Sequence, residues 1–445
     1  MTAPNQQPLP ATVATEWWRR TPTYANAPAP APAASYQNDS KLPFRMLLAF
    51  SFILLLAPQQ AFPVLAPFRI AMLVIAGSVL SYMYSRLIKG QPFIELKPGI
   101  LPALLIAAWA VATVPMSFWP GGTVSFLLGE YFKTLMVFLL LAHIVDNVKK
   151  LRMLAIGLVL MAMPLAFTTL QNWAAGSFNE NAGRILVSYN APLTANPNDL
   201  ALMMNLLLPF AIGLFLHARG KPVLRLALGA AICIFVATVV ITFSRAGFLT
   251  LCMIFLVYMW RLRSRPERGW IPLAILLMLL ALPFVPSEYY DRLSTITDIE
   301  SDTSGSAQTR WSDMFVALQL IAGNPIIGAG AGMNVFAMNE ARGELSLEIH
   351  NVYLQYGVDL GLVGLTLFLV LFGSCLRTAQ SVIERSARLP DPHGLFYLAE
   401  GIKVSLMAFA VEAMFHPVAY NFYFYYIAGL AVALRTVCDR EAGIT

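Results

Sequence analysis

The sequence predicts an all-α polytopic membrane protein. Of its 445 residues, 58% are hydrophobic and only 12% are charged, whereas soluble proteins carry about 25% charged residues. Apolar runs of about 20 residues, the length that crosses a hydrocarbon core of about 30 Å, recur along the chain. Basic residues are concentrated in alternate loops between these runs. The three features together are typical of a helical bundle that crosses a membrane many times.

About twelve apolar runs are long enough to be transmembrane helices. They lie at residues 44–62, 66–85, 99–118, 124–145, 152–171, 199–217, 223–242, 247–260, 270–285, 351–374, 396–415 and 418–435. These runs divide the chain into a disordered cytoplasmic tail, a first helical block, a long loop, a second helical block and a short cytoplasmic tail. The corresponding boundaries are 1–42, 43–286 (helices 1 to 9), 287–349, 350–437 (helices 10 to 12) and 438–445.

The distribution of Lys and Arg predicts the orientation of the chain. Of the 30 such residues, 22 fall in loops on the side of the N-terminus, 6 in loops on the opposite side and 2 within spans. Because cytoplasmic loops are enriched in Lys and Arg, we expect both termini in the cytoplasm and the long loop on the outer face. The outer basic residues are all arginines, whose planar guanidinium groups bind phosphate oxygens in pairs.

The composition argues against nucleic-acid, disulfide and metal sites. The net charge of +6 arises from basic residues spread over short loops, without the basic stripe of a nucleic-acid-binding protein. The four cysteines have no metal-ligand spacing, and none lies in the long loop. No outer cluster of His and carboxylate residues has convincing ligand spacing. We therefore expect neither a metal nor another cofactor.

Two outer motifs place an arginine or a helix start at the membrane surface. In TFSRAGFLT, Arg245 either binds a phosphate or extends from a helix end to the surface as a snorkelling side chain. Arg184 lies in an outer loop, which is followed by the NPND turn, Asn196 to Asp199. This turn is expected to begin a helix with an Asn or Asp cap, and the amides of that helix start are also suited to face an anion.

The loop 287–349 contains an amphipathic stretch from Trp311 to Ile321, where apolar residues recur at helical spacing. We expect a helix that lies on the membrane or caps the bundle, with Arg310 at its start. The sequence GAGAG at 328–332 differs from phosphate-binding glycine loops in its spacing, and no strand precedes it. A turn that lets backbones pack closely is the preferred interpretation.

His350 stands between the long loop and the tenth span, next to Asn351. The positive end of a helix dipole disfavours the imidazolium, so His350 is expected to be neutral and able to accept a proton from a hydroxyl. A helix cap or an interfacial polar residue is equally consistent with its position. Further along, Gly357 and Gly361 predict a GxxxG packing face, and Asp359 requires a partner that the sequence does not identify.

The order of these pieces resembles the O-antigen ligase and polymerase-like superfamily of bacterial membrane glycosyltransferases. The resemblance is carried by AGR, NPND, SRAGF, NPIIGAGAGMN and HNVYLQYGVDLGLVGL, over about residues 180–375. It departs from the family at Asp359, where Glu is frequent, so no catalytic role is assigned to Asp359. The resemblance implies a fold similar to the GT-C class, in the bacterial inner membrane, with residues 287–349 as a periplasmic loop.

The same resemblance implies that the donor is a glycan on undecaprenyl diphosphate, in a protein surrounded by membrane lipids. His350 would be the base that activates an acceptor hydroxyl. The diphosphate would be bound by Arg184, Arg245 and Arg310, with support for the site from Asn198, Asp199 and Asn351. Such enzymes are similar to inverting, metal-independent transferases.

The acceptor remains open at this point. An O-antigen ligase transfers the glycan to lipid A-core or a similar acceptor, whereas a polymerase extends another lipid-linked glycan from the same donor. Transfer to a protein hydroxyl is a more remote alternative. A transporter of lipid-linked glycans is the alternative from another class. It predicts internal repeats and ionisable residues near the membrane centre, which the sequence does not show.

Overall fold

The computed structural model describes residues 41–179, 184–185, 187, 196–281, 306–343, 348–388 and 394–443. The predicted N-terminal tail lies outside these residues, except for its last two. The α-helices are α1 (Lys41–Leu56), α2 (Pro58–Ala61), α3 (Ile70–Ile88), α4 (Ile100–Ala112), α5 (Pro120–Phe126), α6 (Phe132–Ile144), α7 (Val148–Ala174), α8 (Pro197–His217), α9 (Pro222–Ile241), α10 (Arg245–Leu262), α11 (Trp270–Ala281), α12 (Ser306–Gly323), α13 (Asn334–Arg342), α14 (Val352–Ser386), α15 (Leu395–Glu412) and α16 (Phe422–Glu441). Short 3-10 or π segments lie at Pro63–Phe68, Val114–Met116, Leu127–Tyr131 and Pro266–Gly269. Two antiparallel strands, β1 (Phe178–Asn179) and β2 (Arg184–Ile185), pair with each other.

Seven helical segments of the described chain are long and apolar enough to cross a membrane. They are Pro63–Ile88, Pro120–Ile144, Val148–Ala174, Pro197–His217, Pro222–Ile241, Arg245–Leu262 and Val352–Ser386. The all-helical architecture is consistent with the predicted class of polytopic membrane protein. The other predicted spans coincide with α1, α4, α11, α15 and α16, which are either short or less apolar. The number of twelve spans stays a prediction.

The two C-terminal helices lie at the centre of the bundle. Helix α16 is buried along most of its length, and α15 packs between α8, α10 and α14. Glu400 of α15 is buried and accepts hydrogen bonds at 2.7 Å from Arg261 of α10 and from Arg265, which follows α10. A buried charge is tolerated when it is paired in this way. Helices surrounded by protein need not match the hydropathy of lipid.

These helices define two ends of the bundle. The Glu400 end is where α8 and α10 finish and α15 begins. The His350 end is where α8, α10, α14 and α16 begin and α15 finishes. The chain order therefore places the NPND turn, SRAGF and His350 at one end, opposite the buried ion pairs of Glu400.

Helix α14 is interrupted at Gly361, where the backbone adopts φ 66° and ψ −172°. The interruption leaves carbonyl groups of the preceding turn without helical partners. The amide of Ala329 donates to the carbonyl oxygen of Val358 over 2.7 Å. The amide of Gly330 donates to the carbonyl oxygen of Asp359 over 2.8 Å. The GAGAG segment thus completes the hydrogen bonding of the broken helix.

This arrangement corrects the predicted GxxxG face. Gly357 does pack against Ile321 of α12, but Gly361 is the point where the helix breaks rather than part of a regular helical face. The interpretation of GAGAG as a site of close backbone packing is confirmed, because all three glycines have positive φ and each touches a neighbouring segment. They are Gly328 (φ 74°), Gly330 (φ 104°) and Gly332 (φ 74°).

Asp359, whose partner the sequence left unidentified, is fully buried and holds the start of α13. Its Oδ1 accepts a hydrogen bond from the backbone amide of Asn334 over 2.7 Å, and Asn334 Nδ2 lies 3.2 Å from its Oδ2. A carboxylate is well placed there because the first amides of a helix lack intrahelical partners. Arg342 at the end of α13 pairs with Asp313 of α12. Helices α12, α13 and α14 are therefore fastened together.

Replacing Gly361 with Ala should destabilise the protein. A Cβ atom there would lie 2.2 Å from the carbonyl oxygen of Ile326, in a backbone conformation that L-residues disfavour. We expect the free energy of unfolding in detergent to fall by at least about 1 kcal/mol, measured as a lower thermal midpoint. Gly373→Ala is the control, because among the described residues no atom lies within 4 Å of its added Cβ. Equal midpoints for the two variants would contradict this role of Gly361.

Candidate functional site

A polar cavity of about 240 Å³ lies at the His350 end of the bundle. The starts of α8, α14 and α16 and the end of α15 meet around it. Its walls carry imidazole, carboxylate, amide and phenol groups: Asn196, Asn198, Asp199, Glu348, His350, His416, Pro417, Val418, Asn421 and Tyr423. A concave surface with several convergent polar groups is the usual form of a ligand site.

His350 immediately precedes the cap of α14. Asn351 is that cap, since its Oδ1 accepts a hydrogen bond from the amide of Leu354 over 3.1 Å. The half-buried His350 ring lines the cavity, and its Nδ1 has no hydrogen-bond partner among the described residues. Burial, followed by the positive charge of Arg310, lowers the pKa of His350. Its imidazole is therefore neutral near pH 7 and has a nitrogen lone pair available.

The NPND turn lines the cavity and caps α8. Asn196 Oδ1 accepts hydrogen bonds from the amides of Asn198 (2.9 Å) and Asp199 (3.0 Å). Asn196 Nδ2 also donates to Asp199 Oδ2 over 2.6 Å. The predicted Asn cap is confirmed. These two amides are already engaged by Asn196, so they are less suited to bind an anion than the sequence suggested.

The three arginines expected to bind a diphosphate do not line the cavity in the described part of the chain. Arg310, in the first half of α12, is close enough for its charge to lower the pKa of both His350 and His416, after burial. Arg184 lies in β2, where its backbone pairs with that of Asn179, and its side chain lies outside the described residues.

Arg245 begins α10, and a strained turn sets its position. Phe243 has φ 53°, a left-handed conformation that bulky residues rarely adopt. Ser244 caps α10, since its Oγ accepts a hydrogen bond from the amide of Gly247 over 3.2 Å. An added Cβ at Gly247 would meet the side chain of Ala201, so α10 approaches α8 closely here. The half-buried Arg245 is thereby held beside the beginning of α8, at the His350 end.

A second imidazole, which the sequence analysis did not single out, shares the cavity with His350. His416 is 3% exposed, and its Nδ1 lies 3.1 Å from the carbonyl oxygen and 3.2 Å from Oε2 of Glu412. The Oε1 atom of Glu412 accepts a hydrogen bond from Asn205 Nδ2 over 2.9 Å. Burial is the main reason that the pKa of His416 is lowered to about 4. This imidazole too is neutral near pH 7.

One signal in the sequence could have drawn attention to this pair. Glu412 and His416 are four residues apart at the end of an apolar run, a spacing that brings side chains together on one helix face. A carboxylate in an apolar run is costly unless it has a partner. The position of Asn205, about 200 residues earlier in the chain, follows only from the packing of α8 against α15.

Among the described residues, no group of three or more His, Cys, Asp or Glu could hold a metal ion. The expectation of a reaction without metal or cofactor stays a prediction. The groups that line the cavity can orient hydroxyls by hydrogen bonding, and its neutral imidazoles can accept a proton.

Part of the chain matches a known protein family. Residues 228–369 match the family model described as O-antigen ligase, and no curated protein matches the chain. The matched region extends from α9 into α14 and includes Arg245, Arg310 and His350, whereas the NPND turn and His416 lie outside it. The match supports a membrane glycosyltransferase of the ligase or polymerase type. The chain is thus similar to the O-antigen ligase family over residues 228–369, and the resemblance drawn from its motifs is confirmed.

Proposed function

We propose that this protein transfers a glycan from undecaprenyl diphosphate to an acceptor hydroxyl at the periplasmic face of the bacterial inner membrane. The similarity of residues 228–369 to the O-antigen ligase family supports this class of reaction. The observation that carries the proposal is the neutral imidazole of His350 in a polar cavity at one end of a helical bundle. In the proposed orientation, both termini lie in the cytoplasm and the His350 end faces the periplasm.

The proposed step is a single displacement. The acceptor oxygen bonds to the anomeric carbon, the bond from that carbon to the diphosphate oxygen breaks, and the electron pair leaves with undecaprenyl diphosphate. His350 accepts the proton of the acceptor hydroxyl. Attack from the face opposite the leaving group inverts the anomeric configuration. Alignment, proton removal and stabilisation of charge on the diphosphate are sufficient, without a metal or cofactor.

The surroundings of His350 suit a general base. A base must be unprotonated before it can act, and burial together with Arg310 keeps the imidazole neutral near pH 7. The cap formed by Asn351 fixes the backbone beside the ring. Asn198 and Asp199 line the same cavity and offer hydrogen bonds to an acceptor.

We assign the diphosphate to the arginines of the His350 end. The positive charge of Arg310 lowers the pKa of His350 in the cavity, and Arg245 is held at the start of α10 beside α8. Guanidinium groups bind phosphate oxygens in a bidentate geometry and stabilise the charge that grows as the bond breaks. The assignment of Arg184 rests on its motif alone.

Analysis of glycans from a strain that lacks the gene distinguishes the ligase from the polymerase. Loss of a ligase should leave finished polymer attached to undecaprenyl diphosphate. Loss of a polymerase should leave single repeat units, which are then transferred without extension. An unchanged set of surface and lipid-linked glycans would contradict both activities.

His350→Ala should abolish glycan transfer while the protein still inserts and folds. Loss of the general base is expected to lower turnover by ~100-fold or more, measured with purified protein in proteoliposomes and lipid-linked glycan from the deletion strain. His217→Gln is the control, because His217 ends α8 at the opposite end of the bundle. Full activity of the His350 variant would disprove its role as the base.

Arg245→Lys should impair transfer although it keeps the positive charge. A Lys ammonium cannot reproduce the bidentate geometry of a guanidinium, and loss of one stabilising donor typically lowers turnover by ~100-fold. Arg263→Lys, just after the other end of α10, is the matched control. If the Arg245 variant retained wild-type turnover and donor affinity, the side chain would merely snorkel to the membrane surface.

Arg310→Gln should shift the acid limb of the pH profile to higher pH. The charge of Arg310 lowers the pKa of His350, so its removal raises that pKa, and a larger fraction of the base is protonated at a given acidic pH. Glu348 and His416 share the cavity and remain in both proteins. The measurement is kcat/KM against pH, which reports the free enzyme, with the exposed Arg268→Gln as control. If the acid limb lay at the same pH in the wild-type protein and the Arg310 variant, Arg310 would have no effect on the protonation of His350.

A further inference from the structure

The surroundings of His416 determine which of its nitrogens carries the proton. Its Nδ1 lies 3.1 Å from the carbonyl oxygen of Glu412. A carbonyl oxygen can only accept a hydrogen bond, so Nδ1 must be the protonated nitrogen of the neutral ring. The other nitrogen, Nε2, therefore has a free lone pair and can only accept.

The Nε2 atom of His416 is buried and makes no hydrogen bond with the described residues, although the backbone of Asn198 lies close enough to raise the pKa of the ring. The ring lines the polar cavity together with His350. A buried acceptor without a partner costs stability, so such a group is a candidate for a bond that forms only when a ligand is present. The ligand group has to be a hydrogen-bond donor.

Hydrogen bonds fix the backbone near His350 relative to the backbone near His416. The amide of Val352 donates to the carbonyl oxygen of Ala413 over 2.8 Å, and Asn351 Nδ2 donates to the carbonyl oxygen of Met414 over 3.3 Å. The turn that carries His416 is thus fastened to the residues that follow His350. Both rings line the same cavity, and they are close enough that a proton on His350 would lower the pKa of His416.

We propose that His416 is a substrate-binding residue whose Nε2 accepts a hydrogen bond from the hydroxyl next to the reacting hydroxyl of a sugar acceptor. This inference rests on the proposed function. A reacting hydroxyl has one proton, which goes to His350, so a second acceptor nitrogen in the same cavity needs a second hydroxyl. Adjacent hydroxyls of a sugar ring provide that pair. Ser and Thr side chains, with one hydroxyl each, do not.

The rest of the cavity is consistent with a sugar. Asp199 and Glu348 contribute carboxyl groups and Asn198 and Asn421 contribute amides, which are the groups that hydrogen-bond hydroxyls from either direction. Glu412, held by Asn205, fixes the orientation of the His416 ring. Binding a second hydroxyl would place the first one for attack, and misplacement by about 1 Å can cost ~100-fold in rate.

A pair of substitutions tests this role. In His416→Asn, the amide nitrogen replaces Nδ1 and keeps the bond to Glu412, but nothing replaces Nε2. In His416→Gln, the amide reaches the position of Nε2 and supplies an acceptor oxygen, but the bond to Glu412 is lost. We expect kcat/KM for the acceptor to fall ~10-fold to ~100-fold in the Asn variant and to be partly retained in the Gln variant.

The assay uses the full-length protein in proteoliposomes, with lipid-linked glycan and acceptor lipid from the deletion strain. Binding of undecaprenyl diphosphate is measured in parallel and should be unchanged in both variants. Wild-type kcat/KM in the Asn variant with loss in the Gln variant would show a purely structural role and overturn the proposal. Loss of undecaprenyl diphosphate binding in both variants would do the same.

The assay gives different results if the proposed reaction is wrong and if only the role of His416 is wrong. If the wild-type protein transfers no glycan under these conditions, or if the His350→Ala variant is fully active, the proposed reaction is wrong and this inference is wrong with it. If wild-type protein is active, the His350 variant is inactive and the His416→Asn variant is unimpaired, only the role of His416 is refuted.

Discussion

The structure depends on a simple requirement, which is that every buried backbone polar group needs a hydrogen-bond partner. The interruption of α14 at Gly361 creates amides and carbonyls that the helix itself cannot satisfy. The segment before α13 satisfies them, since Pro325 accepts from Leu362 over 2.7 Å in addition to the bonds from the GAGAG amides. This docking fixes α12 against α14. Arg310 of α12 is thereby brought to the His350 end of the bundle, where α14 begins.

The same requirement explains the cavity. Several helices begin or end around it, and most of their terminal amides and carbonyls are taken up by nearby side chains and turns. Asn196 caps α8, Asn351 caps α14 and Asn421 caps α16. With the caps made by Asn side chains, the two imidazoles of the walls are left to interact with a ligand. The cavity therefore combines a rigid backbone with side chains that are available for chemistry.

Much of this could be predicted from the sequence, and the exceptions have physical reasons. Apolar length predicted the positions of the helices, and the NPND turn predicted the start of α8. The break at Gly361 could not be predicted, because two glycines four residues apart fit a regular packing face and a broken helix equally well. Only the docking of a distant segment decides between them. His416 was missed because its four-residue spacing from Glu412 shows only that the two side chains are near each other and indicates no site. Its importance comes from Glu412 and from Asn205 on another helix.

The charged groups of α15 have a consequence for how the protein is made. A charged residue at the centre of a helix adds up to ~3 kcal/mol to the cost of entering a membrane, and α15 carries Glu400, Lys403 and Glu412. Its partners precede it in the chain: Asn205 on α8, Arg261 on α10 and Arg265 just after α10. They are synthesised first and can already be in place when α15 emerges. The order of the chain thus allows a central helix with three charged residues to enter a bundle that already holds partners for its carboxylates.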